Sequence, residues 1–95
     1  MPYREKSPDR LYYSMGMVAK LLKQSQVTIR WWTDRFNVSC KRNSHGNRLY
    51  KKEGIKLLRV IWYLRKVEKY SVAGTQRQLE LNKNTWLKKV KFNVR

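Results

Sequence analysis

Residues 14–36 read SMGMVAKLLKQSQVTIRWWTDRF, and the reading of this stretch decides the fold. Ser14 is suited to cap a helix, because its hydroxyl can accept from an orphan backbone N–H in the first turn. Met15, Val18, Ala19 and Leu22 then recur at helical spacing and form one apolar face. Gly16 weakens that helix somewhat. Lys23-Gln24-Ser25 breaks the pattern within about one turn. Ser25 can cap a second helix running from Gln26 to about Phe36. Ile29, Trp32 and Phe36 lie at i, i+3 and i+7, so they share a buried face, and Gln26, Thr28, Arg30, Trp31 and Arg35 fall on or near the outside. Two short helices joined by a tight turn, the second presenting polar and basic residues, make a helix-turn-helix. In that motif the second helix enters the major groove of DNA.

The flanking sequence extends this unit on both sides. Asn43-Ser44-His45-Gly46-Asn47 is turn chemistry, bordered by Lys41-Arg42 and by Arg48-Leu49-Tyr50, which predicts a β-hairpin wing with a basic rim. From Lys52 to about Lys66 helical period returns, with Ile55, Leu58, Ile61 and either Leu64 or Arg65 placed to face a core. Ser71 is a cap candidate for a fourth helix, in which Val72, Thr75 and Leu79 make a weaker inner face. Asn82 to Asn84 reads as a break, and Trp86, Leu87 and Val90 have helix-like spacing within a basic tail. Toward the N-terminus, Met1 to Arg10 carries both prolines, Pro2 and Pro8, with no periodicity and reads as a flexible leader. The expected organisation is a leader over 1–10, one domain over 11–81 and a basic tail over 82–95. That tail is either the stub of a dimerisation helix or a segment folding back on its own domain.

Composition narrows the partner. The 95 residues include 23 Lys and Arg against six Asp and Glu, a formal net charge of +17. Yet 41% of residues are hydrophobic, enough to bury a core rather than form a disordered basic tail. Such a charge repels itself unless a polyanion relieves it. Nucleic acid is the obvious one, because neutralised phosphates release counterions. An acidic membrane surface also attracts basic segments, but the longest apolar-leaning run, Val60 to Leu64, is far too short to span a bilayer.

Catalysis finds no foothold. Cys40 and His45 each stand alone, which excludes an intrachain disulfide and a Cys/His zinc cluster and fits a reduced, cytoplasmic setting. The acids Glu5, Asp9, Asp34, Glu53, Glu68 and Glu80 are scattered, and no Gly-rich phosphate loop is present. We expect no enzyme activity and no cofactor or metal.

From Tyr13 to Leu81 the chain resembles the DNA-binding domain of MerR-type bacterial transcription regulators. The likeness is carried by Tyr13-Ser14-Met15-Gly16-Met17-Val18-Ala19-Lys20-Leu21-Leu22, by Thr28-Ile29-Arg30-Trp31-Trp32, by Arg42 and by Gly46-Asn47-Arg48-Leu49-Tyr50. The helix from Lys52 and Tyr70-Ser71-Val72-Ala73-Gly74 complete it, the order and spacing being more specific than any one piece. The resemblance implies a mainly α fold, a winged helix-turn-helix of about four helices with a small β-hairpin wing. It further implies that Arg30 and Trp31 contact groove and backbone, that Arg42 and Arg48 serve the wing, and that Tyr50 packs beneath it. Relatives act as homodimers on pseudo-palindromic promoters, beside RNA polymerase, and many distort the DNA, which suits readout through deformability. The sequence departs from the pattern in four places. Lys23 and Lys69 occupy positions usually held by Gly, Gln24 replaces an apolar residue, and Met17 stands where an acid often completes a capping box. A left-handed Lys23 would cost on the order of 1 kcal/mol.

The expected DNA contacts are therefore Gln26, Thr28, Arg30, Trp31, Arg35, Lys41, Arg42 and Arg48. Arg30 can grip a phosphate or a guanine edge bidentately. Gln26 and Thr28 sit in the first helical turn, where base edges are read, although Thr28 could equally contact phosphate and Gln26 merely start the helix. Trp32 belongs to the core, which leaves Trp31 either against the sugar-phosphate backbone or wedged between helix and wing. Lys41, Arg42 and Arg48 reach phosphate or the minor groove, or else keep an edge strand soluble. The rival functions are an excisionase-like architectural factor that bends DNA, an RNA-binding protein, and a protein-interaction module built on Trp86, Leu87 and Val90.

Overall fold

The computed structural model describes residues 11–91. The leader expected over 1–10 lies outside the described residues. In chain order the elements are β1 (Tyr13–Ser14), α1 (Met15–Leu22), α2 (Gln26–Arg35), β2 (Lys41–Arg42), β3 (Arg48–Tyr50), α3 (Lys52–Trp62) and α4 (Val72–Lys89). One π-helical turn, Tyr63–Val67, continues α3. The expected third helix thus reaches its predicted end, but its last turn is wider than α.

The starts of α1, α2 and α4 follow serine caps, while α3 begins after Lys51 without a side-chain cap. Ser14 Oγ accepts from Met17 N at 3.2 Å, Ser25 Oγ from Thr28 N at 3.1 Å and Ser71 Oγ from Gly74 N at 3.0 Å. Each satisfies one of the N–H groups that a helix leaves without an internal partner.

The ends are closed by left-handed residues: Lys23 (φ 55°), Asn37 (φ 54°) and Lys69 (φ 59°). At Lys23 the turn between α1 and α2 is a Schellman motif, with Gln24 N donating to Ala19 O at 3.0 Å and Lys23 N to Lys20 O at 3.3 Å. Val38 N reaches Thr33 O at 3.0 Å past Asn37 in the same way. Both lysines at usual glycine positions therefore adopt the geometry that glycine would have served.

The wing strands β2 and β3 belong to a three-stranded antiparallel sheet of order β1-β3-β2, with β3 in the middle. Tyr13 pairs with Tyr50 and Ser14 with Leu49, while Lys41 faces Leu49 and Arg42 faces Arg48. The hairpin itself is as expected. The added strand β1 is too short to leave a period-two pattern. Asn43 builds the turn: its side-chain Oδ1 accepts from His45 N and Asn47 N, at 2.9 and 3.0 Å. Gly46 has φ 81°, a conformation that disfavours a β-carbon.

The core gathers Tyr13, Val18 and Leu22 with Ile29 and Trp32 from α2, Phe36 at its C-cap, and Ile55, Leu58, Ile61 and Leu64 behind them. Tyr50, fully buried, lies under the wing and exchanges a 2.7 Å hydrogen bond with Thr33 Oγ1. Thr75 and Leu79 face inward from α4, as predicted. The expected break near Asn82 is a kink, with φ −132° and ψ 32°, and helix continues beyond it. Trp86 is buried there, donating from Nε1 to Gln78 Oε1 at 2.9 Å and lying 6.0 Å from the Tyr63 ring centroid. Leu87 and Val90 also pack against the core cluster. No helix among the described residues is long and apolar enough to cross a membrane.

Candidate nucleic-acid interface

Two elements meet at the candidate interface. The capped start of α2 and the wing stand side by side, because β3 is anchored under α2 through Tyr50 and Thr33. Between them runs an open groove of about 440 Å³ whose lining includes Gln26, Arg30, Arg42, Asn43, Asn47 and Arg48. Three arginines from three separate stretches of sequence thus converge on one concavity. Gln26 and Arg30 enter it from successive turns of α2, and Arg42 and Arg48 from opposite strands of the wing.

The three arginines are not equivalent. Arg30 is exposed on α2. Arg42 is also exposed, and one of its guanidinium nitrogens donates to Gly46 O at 3.2 Å, which steadies the wing turn. Arg48 is bound into a forked pair with Asp34 of α2, at 2.7 Å to Oδ1 and 3.3 Å to Oδ2. Its side chain is only 11% exposed, against 62% for Asp34. This pair ties the wing to α2 in a fixed geometry, since a bidentate fork resists rotation. The Arg48 hydrogen bond holds the Asp34 carboxyl below its usual value, and the charges of Arg48, Arg42 and Arg30 add to the effect. Asp34 therefore stays ionised and offsets part of the positive charge in the groove.

The remaining expected contacts fall in different places. Thr28 is partly buried, and its hydroxyl accepts from Ser25 Oγ at 2.9 Å, so it reinforces the helix cap. Trp31 is 48% exposed and meets Phe36 edge to face, with ring centroids 6.4 Å apart. It stands half-exposed on the side of α2. Lys41 lies on the outer strand, its Nζ 5.4 Å from the Tyr12 ring centroid, with Lys51 Nζ at 5.8 Å from the same ring. Arg35 points elsewhere: it lines a separate groove with Ala73, Gln76, Arg77, Glu80 and Leu81, beside α4. The structure thus unites Gln26, Arg30, Arg42 and Arg48, sets Trp31 and Lys41 on the flanks, and parts Arg35 from them.

Sequence reasoning left out Asp34, Tyr12 and Lys51. The Asp34–Arg48 link joins residues 14 apart and left no local signal. Tyr12 and Lys51 flank strands that pair only in three dimensions. Among the described residues no cluster of His, Cys, Asp and Glu could hold a metal ion.

The family model described as MerR HTH family regulatory protein matches residues 13–81. No curated protein matches the chain.

Proposed function

The chain belongs to the MerR family of helix-turn-helix regulatory proteins, double-stranded-DNA-binding modules of transcription regulation, and on that premise we propose how it reads its site. The start of α2 enters the major groove. Gln26 and Arg30 face base edges and Thr28 the adjoining phosphate, while Trp31 rests its ring against the sugar-phosphate backbone. Arg42 and Lys41 carry the wing onto the flanking backbone. Arg48 acts from behind, holding the wing at a set angle to α2 through Asp34. Arg35, beside α4, reaches only a phosphate outside the main contact.

The observation that carries this reading is the single groove shared by Gln26, Arg30, Arg42 and Arg48 between helix and wing. An isolated basic patch would need no such fixed junction. The protein acts without enzymatic chemistry or cofactor, as a homodimer on a two-fold site at promoters served by RNA polymerase. In that dimer α4 is the element nearest the partner, where Leu81 is exposed.

Selection of the protein against a pool of random duplexes tests the proposal. A two-fold symmetric sequence with fixed half-site spacing is the expected result. On that duplex Arg30→Ala should weaken binding by about 1–3 kcal/mol. Binding to all duplexes alike, or a preference for RNA, would overturn the reading, because the deep, narrow groove of duplex RNA does not admit a recognition helix.

A further inference from the structure

The outermost point of α2 is not a charged residue. At about 100° per residue, the buried side chains Ile29, Trp32, Thr33 and Phe36 define one pole of the helix, and Val27 stands at the opposite pole. Val27 is 66% exposed, although the chain is rich in lysine and arginine that would serve a solvated position better. It sits in the first turn of α2, one residue from Gln26 and three from Arg30, both of which line the groove beside the wing. Trp31, four residues on, is its apolar neighbour along the helix.

Nothing in the fold accounts for Val27. It adds nothing to the core, and its β-branched side chain is a mediocre helix former. Its surroundings nevertheless constrain what could cover it. Arg30, three residues on, and Arg42, which shares the groove with Arg30, favour a polyanion, and a polyanion that accepts a helix in its groove offers one apolar feature at that depth, the C5-methyl group of thymine. The methyls of valine are stiff at χ1, so the contact requires little ordering.

Resting on the proposed insertion of α2 into the major groove, we propose that Val27 is a specificity-determining residue that selects thymine at one position of each half-site by contact with the base methyl group. Arg30 supplies the polar reading beside it, and Trp31 bounds the apolar strip on its backbone side.

The test uses the duplex enriched from the random pool, remade with deoxyuridine in place of each thymine in turn. This exchange removes a single methyl group and leaves base pairing intact. For the unaltered protein one substitution per half-site should weaken binding about fourfold, the equivalent of about 0.8 kcal/mol for one buried methyl group. Val27→Ala should show a similar loss on the thymine duplex and no further loss on the deoxyuridine duplex. Val27→Thr, which keeps the branched shape, checks that any change is not one of folding. If every deoxyuridine duplex binds like its parent, or if Val27→Ala remains as sensitive to the exchange as the unaltered protein, the assignment of Val27 fails while the groove reading stands. If no duplex is enriched at all, both fail together.

Discussion

Thr33 shows how much one hydroxyl can organise. It is buried in α2, and its Oγ1 donates to Ile29 O at 2.8 Å. Having one proton, it must accept from Tyr50 at 2.7 Å, so the tyrosine is the donor. Burial raises the Tyr50 pKa, which keeps that proton in place. The bond joins α2 to β3, the strand that carries the wing. Thr33→Val should leave the buried Tyr50 O–H without the acceptor it donates to and destabilise the protein by about 1–3 kcal/mol in chemical denaturation. Adding Tyr50→Phe removes the stranded group and should restore much of the loss. If the double variant is as unstable as the sum of two independent lesions, the bond is not what holds this junction. Thr33 lies four residues after Ile29, on the same inner face as Trp32 and Phe36. The period that exposed those apolar residues therefore also contained Thr33, but a polar side chain does not announce burial. Arg48 poses the same difficulty in reverse: its charge marks it as a DNA contact, and only the fold reveals that Asp34 holds it.

At the scale of elements, helix starts were legible and helix ends only partly so. Ser14, Ser25 and Ser71 marked the starts of α1, α2 and α4 because serine acts there through its own side chain, whereas α3 begins after Lys51 with no side-chain cap. Ends depend on backbone conformation, which a residue such as lysine does not reveal; Lys23 and Lys69 were recognisable only against the family pattern. Both are left-handed at exposed positions. Lys23→Gly and Lys69→Gly should each stabilise the protein by about 0.5–1 kcal/mol, a rise of a few degrees in Tm for a domain of this size. Lys23→Ala is the control, since it removes the charge and keeps the strained conformation. Equal gains from alanine and glycine would trace the effect to charge instead. Past Asn82 the sequence left two readings open, because Trp86 and Leu87 are equally apt for a partner helix or for their own domain. The structure buries Trp86 against Tyr63 and Tyr70. Trp86→Ala should therefore lower stability by about 3 kcal/mol. An unchanged Tm would show that this segment contributes nothing to the domain's stability. The π turn, with Glu68 N reaching Tyr63 O at 2.9 Å, had no signal in the sequence.

For the whole molecule, the +17 charge was readable at once, yet charge alone says only that a polyanion is favoured. What the fold adds is a division of labour among the cations. Arg48 is neutralised internally by Asp34, Arg42 and Lys41 stand on the wing, and Lys56, Lys83, Lys88 and Lys89 stand on α3 and α4. Only those cations that displace counterions from phosphate steepen the salt dependence of binding, by about 0.9 in the slope of log K against log salt for each contact. Arg42→Ala should thus reduce the slope by about 0.9 and weaken binding uniformly across duplex sequences, because a phosphate carries no sequence information. Lys66→Ala, on the exposed surface after α3, should leave the slope unchanged. Titrations of the selected duplex and of a scrambled duplex, over a range of salt concentrations, separate these cases. If Arg42→Ala changes the ranking of duplexes rather than the slope, the wing reads bases and not backbone. If Lys66→Ala flattens the slope as much as Arg42→Ala does, binding follows total charge. The junction between α2 and the wing would then be a structural feature of the fold with no role in placing it on DNA.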